Sequence, residues 1–135
     1  VPALRAGRKL ALWAPVAVYA AVLYHFSGRV PPPPLFSAVW DKALHAGAYA
    51  GLAFLLIRAL HGGLGRFRPG LALAGAVGAV LYGASEEVRQ SFIPGRFASG
   101  ADLLADAIGT GFAVAAAALL ARFAASRKAR SAPRD

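Results

Sequence analysis

The stretch S-E-E-V-R-Q-S-F-I-P-G-R-F-A-S-G-A-D-L-L-A-D-A-I-G, residues 85–109, decides how this chain folds. It holds four of the six acidic residues, Glu86, Glu87, Asp102 and Asp106. Apolar runs flank it, from Leu71 to Gly83 before and from Leu103 to Leu120 after. Pro94-Gly95 in the middle ends any helix, because proline lacks a donor and glycine turns the chain. The reading is helix end, tight turn, helix start, with carboxylates gathered at the bend. Ser99 and Asp102 have the spacing of a capping box, in which a hydroxyl and a carboxylate satisfy free N–H groups at a helix start. That accounts for Asp102. It leaves Asp106, Glu86 and Glu87 unexplained.

Composition sets the environment of this bend. The chain has 135 residues, a length for one domain, and 58% of them are hydrophobic. Its mean hydropathy is +0.53, more apolar surface than a soluble domain of this size can hide. An integral membrane protein follows. The absence of cysteine excludes disulfides, thiolate nucleophiles and Cys-ligated metals. A net charge of +9 first suggests nucleic acid, but the placement of the charges argues otherwise.

Four apolar runs can cross a bilayer, and we read them as an all-α bundle with helices at about 10–26, 41–60, 71–90 and 100–123. Residues 1–9 form a basic leader, and 124–135 a basic tail expected to be disordered. The first run also has features of a secretory signal peptide. It continues past Ala20 to Tyr24 and Phe26, however, which suits an interfacial aromatic belt better than a cleavage site. Pro15 is placed near the start of that helix, where proline costs least. Pro31–Pro34 reads as extended polyproline, and Ser37 or Asp41 as the cap of the second helix. Gly75, Gly78 and Gly83 suit close packing in lipid.

Eleven of the fifteen basic residues lie in the leader, in the 58–70 segment and at the chain end. Only Arg29, Lys42, Arg89 and Arg96 lie on the opposite face. The positive-inside rule then puts both termini in the cytoplasm, as in a bacterial inner membrane. The basic excess becomes a contact with lipid headgroups, and no nucleic-acid partner is implied.

With that topology five carboxylates fall at the outer face: Asp41, Glu86, Glu87, Asp102 and Asp106. Each costs on the order of 2.5–3.5 kcal/mol if carried to mid-helix in lipid. Asp41, His45 and Tyr49 share one face of the second helix, with Lys42 beside them. Glu87 and Gln90 are neighbours on the third, and Asp102 and Asp106 on the fourth. Two like charges four residues apart repel, so Asp106 needs a cationic or protonated partner. Arg96 can sit at the rim or bind Glu87 and Asp102 together. The candidate ligand-binding set is therefore Asp41, Lys42, His45, Tyr49, Glu87, Gln90, Arg96, Asp102 and Asp106. His45, Glu87 and Asp102 are the candidates for acid–base work, and Arg96 and Lys42 for holding a phosphate or carboxylate. A metal variant would use His45 with the carboxylates and suit Mg²⁺ or Ca²⁺ better than Zn²⁺, but no metal or cofactor is assigned. An ion-pair lock between helices is the plain structural alternative. No P-loop, Gly-x-Ser-x-Gly or His-Glu-x-x-His motif is present.

The combination D-K-A-L-H-A-G-A-Y (41–49), E-x-x-Q-x-F-x-P-x-R (87–96) and D-x-x-A-D-x-x-G (102–109) resembles the VanZ-like family of small bacterial membrane proteins. The likeness covers about Trp40 to Phe123. It departs at Asp106, where the family usually has asparagine, and at Ala113, where a glycine is common. The resemblance implies a four-helix protein of the cell envelope, in a family associated with low-level teicoplanin resistance. It implies a class and a compartment but no particular reaction. The residues themselves suggest an anionic lipid-linked or peptidoglycan-related ligand, bound or transformed, or a protein partner.

Overall fold

The computed structural model describes residues 2–29 and 38–131. They form four helices: α1 (Pro2–Ser27), α2 (Ala38–His61), α3 (Pro69–Gln90) and α4 (Gly100–Arg130). The tetraproline run, Ser37 as a cap and residues 132–135 of the tail lie outside the described residues. All four helices are long and apolar enough to cross a membrane. The shortest, α3 with 22 residues, measures about 33 Å at 1.5 Å per residue.

The burial pattern is that of a protein solvated by lipid. Large apolar side chains point outward, among them Leu73, Leu81, Phe112 and Phe123. The interior of α4 is instead a column of small residues, Ala105, Gly109, Ala113, Ala117 and Ala121, each one turn from the last. On α3 the buried face includes Ala72, Gly75, Ala76, Ala79 and Gly83. Small residues let backbones approach, which is how helices associate where no hydrophobic effect drives them together. At Gly75 an added Cβ would come within 2.7 Å of the Ile57 side chain. Helices α2, α3 and α4 form the tight trio, with α2–α4 the largest interface, and α1 leans on α2.

Hydrogen bonds along its length tie α1 in place. Arg8 donates to the Gly62 carbonyl at 2.7 Å and Tyr19 to the Ala48 carbonyl at 3.1 Å. Tyr82 donates back to the Ala20 carbonyl at 2.7 Å. Leu12 and Val16 join the core, and the Tyr19 ring covers Gly51. These contacts hold α1 against α2 and α3.

Three expectations need correction. The leader is helical, since α1 begins at Pro2, so Pro15 lies inside the helix and not near its start. Asp41 is not a cap, because α2 starts at Ala38 and places Asp41 in its first turn. The tail is helical through Arg130. Its alanines and basic residues favour helix, and cations in the last turn suit the negative end of the helix dipole.

Candidate functional site

The α3–α4 connection positions the site. Arg96 N–H donates to the Ile93 carbonyl at 3.0 Å, closing a turn with Pro94 and Gly95 at its centre, and Gly95 has φ 82°. Proline followed by glycine at positive φ is what a type II turn requires. Ser99 then caps α4, accepting from Asp102 N–H at 3.2 Å. Only that half of the capping box forms. Ser99 N–H goes to the Glu87 carboxylate at 2.6 Å, so Glu87 takes the place expected of Asp102. The Asp102 carboxylate is thereby released to face α2.

There it meets Lys42, whose ammonium contacts Asp102 and lies 3.0 Å from Asp41. One turn deeper, His45 Nδ1 is 3.0 Å from Asp106 Oδ1. Its Nε2 stands 3.8 Å from Asp102 Oδ2, beyond hydrogen-bonding distance. His45 is thus the cationic or protonatable partner that Asp106 needs. Tyr49 lies parallel to the imidazole, with ring centres 6.4 Å apart, and is buried. It is a wall of the site. Gly83 of α3 closes the floor: a Cβ there would come within 2.7 Å of Asp106 Oδ2 and 3.0 Å of the Tyr49 ring.

Exposure falls with depth. The Asp41 and Lys42 side chains are 48% and 35% exposed, His45 and Asp102 are 19% and 12%, and Asp106 is 1%. The cluster is a polar well, open at the α3–α4 turn end and sealed at Asp106.

The sequence candidates divide accordingly. Asp41, Lys42, His45, Asp102 and Asp106 come together, with Tyr49 against them. Glu87 acts as the backbone cap of α4. Gln90 is 2% exposed within the bundle. Arg96 does not bind Glu87 and Asp102 together. It forms no ion pair among the described residues, and its Nε is buried without an acceptor. The cation shared by the two outer carboxylates is Lys42, because α2 rather than the turn faces Asp102.

Asp41, His45 and Asp102 offer ligand atoms within 4.8 Å of one another, a spacing that could hold a metal ion. Lys42 already supplies the cation these carboxylates share, and a metal would have to displace it. The donor set therefore reads first as an ion-pair network.

A second polar group was not among the sequence candidates. Arg89 donates to the Glu86 carboxylate at 2.6 Å, to Ser27 Oγ at 2.6 Å and to the Tyr24 carbonyl at 2.9 Å. Its guanidinium also lies over the Tyr24 ring, 4.0 Å from the centroid. Ser27 donates to the same carboxylate. The signal was the i, i+3 spacing of Glu86 and Arg89, which puts a carboxylate and a guanidinium on one helix face. This cluster clasps the end of α1 to α3. A shallow pocket bordered by Ile57, His61, Phe67 and Ala117 lies at the opposite end of the bundle, away from these acidic groups.

Compared with protein-family models, curated proteins and solved structures, the chain finds no match.

Proposed function

We propose that this is a multi-pass protein of the bacterial cytoplasmic membrane, with both termini in the cytoplasm, that binds an anionic envelope molecule at its outer face. The ligand class is a lipid-linked or peptidoglycan-related molecule. The observation that carries this reading is the gradient of exposure, from 48% at Asp41 to 1% at Asp106. A network that served only to lock helices would gain most from being sealed, whereas this one opens at the headgroup end. Ionisable groups at membrane depth mark functional sites by default, because they are costly to keep there. The VanZ-like motif between Asp41 and Gly109 supports placing the protein in the cell envelope. Lys42 is spent on two carboxylates, which leaves Arg96 to hold the anion.

The Asp106–His45 pair favours a second reading, a membrane-embedded enzyme acting on a lipid-linked or phosphorylated substrate. A buried carboxylate that accepts from Nδ1–H leaves Nε2 as the proton-accepting end of the imidazole.

His45→Gln tests both readings, since glutamine keeps a donor for Asp106 and cannot titrate. The variant should accumulate in the membrane as the wild type does, yet lose the envelope phenotype, read as susceptibility to a lipoglycopeptide antibiotic. Full activity in the variant would reduce the cluster to a structural lock.

A further inference from the structure

Arg96 sits between the two most exposed large apolar side chains of the described residues, Phe92 at 81% and Phe97 at 86%. These flank the turn between α3 and α4, outside both helices. Phenylalanines left this bare at one end of a membrane-spanning bundle suit shallow burial at the boundary of headgroups and acyl chains. With Phe92 and Phe97 inserted there, the intervening arginine is held at the depth of lipid phosphates. The carboxylates nearest the turn are engaged elsewhere. Glu87 is engaged by Ser99 N–H, and Asp102 by Lys42. Among the described residues Arg96 has no ion pair, and its buried Nε lacks an acceptor.

We infer that the turn Phe92–Phe97 is a clamp for the phosphate of a membrane lipid, with Arg96 as the anion-binding group and the two phenylalanines as its anchors. This rests on the proposed outer-face site and narrows its ligand to a phosphate carried on an acyl or prenyl chain. A planar guanidinium with several donors suits phosphate oxygens, and apolar contact on both sides of the turn suits the chain that follows the phosphate. A dissolved phosphate would use the arginine and have no need of the phenylalanines.

The test uses the full chain in mixed lipid–detergent micelles. A Trp13→Phe background leaves Trp40, at the same end as the turn, as the only indole. Its quenching is compared for phosphatidic acid and phosphatidylcholine carrying brominated acyl chains. Phosphatidic acid should be preferred, and Arg96→Gln should cut that preference about fivefold, the factor expected for one arginine at an anionic surface. Arg66→Gln, at the other end, should leave it unchanged. Phe92→Ser with Phe97→Ser should weaken the preference while Arg96 remains. Inorganic phosphate should fail to compete, and equal competition would show a site for free anions and overturn the lipid assignment. A preference unchanged in Arg96→Gln would overturn the role of the arginine. Should that variant not fold, competition on the wild type and the phenylalanine pair still decide. Loss of the clamp with the His45→Gln phenotype intact would sink this inference alone. A working clamp with fully active His45→Gln would sink the site beneath it.

Discussion

Gly109→Ala should prevent α2 and α4 from docking, while Gly111→Ala, two residues along the same helix, should leave the bundle intact. A Cβ at position 109 would collide with the Ala46 carbonyl oxygen and lie 2.9 Å from the Ala46 Cα. These are backbone atoms of a helix, so no side chain can swing away. The helices would have to separate along the column of small residues that continues through Ala113 and Ala117. Ordinary overpacking costs about 1–3 kcal/mol, and a clash with backbone at the largest interface should exceed that range. The crossing also sets His45 against Asp106, so the polar well should come apart with it. At Gly111 nothing lies within 4 Å, and alanine should improve helix propensity by about 0.5–1 kcal/mol. Unfolding in mixed detergent micelles checks both, and equal stability of the two variants would contradict the close crossing.

Arg89→Met should be nearly as damaging, and Glu86→Gln added to it should restore much of the loss. The Glu86 carboxylate is 5% exposed, and Arg89 is the cation that accompanies it. Removing one partner of a fully buried pair costs about 3–5 kcal/mol, because the other charge is left without compensation. With Arg89 26% exposed, the loss should lie at or below the low end of that range. A neutral amide at position 86 removes that penalty. Recovery will stay incomplete, because the contacts of Arg89 with Tyr24 and Ser27 are lost in both variants. The unfolding free energies of wild type, two single variants and the double form a cycle. Additive losses would mean that Glu86 does not depend on Arg89.

Hydropathy was enough to locate four spans, because a continuous apolar run needs no tertiary information. It misjudged their ends for the same reason. Charges at Arg5, Arg8 and Lys9, and again at Arg127, Lys128 and Arg130, end an apolar run without ending a helix. Pro94-Gly95 and Ser99 were legible, since turn and cap chemistry are local. The company of Asp41, His45, Asp102 and Asp106 followed from helical spacing once the bend had brought α3 and α4 together. Which cation meets which carboxylate did not follow. Lys42 and Asp102 are 60 residues apart, and their meeting depends on how α2 rotates against α4. That rotation is set by the Gly109–Ala46 approach. It is also why Arg96, nearer in sequence, is not the partner of Asp102. Glu87 replaces the second half of the capping box for a related reason: the end of α3 passes beside the Ser99 amide.

Everything proposed about function depends on the polar well facing out of the cell, and cysteine labelling in intact cells measures that directly. The chain has no native cysteine, so single replacements report alone. Ala98→Cys lies in the exposed α3–α4 turn, and Gly65→Cys in the exposed α2–α3 loop at the other end. An impermeant thiol reagent added outside should label Cys at position 98 and spare position 65 until the membrane is opened. Labelling of position 65 from outside, with position 98 protected, would turn the site toward the cytoplasm and contradict the envelope-binding account.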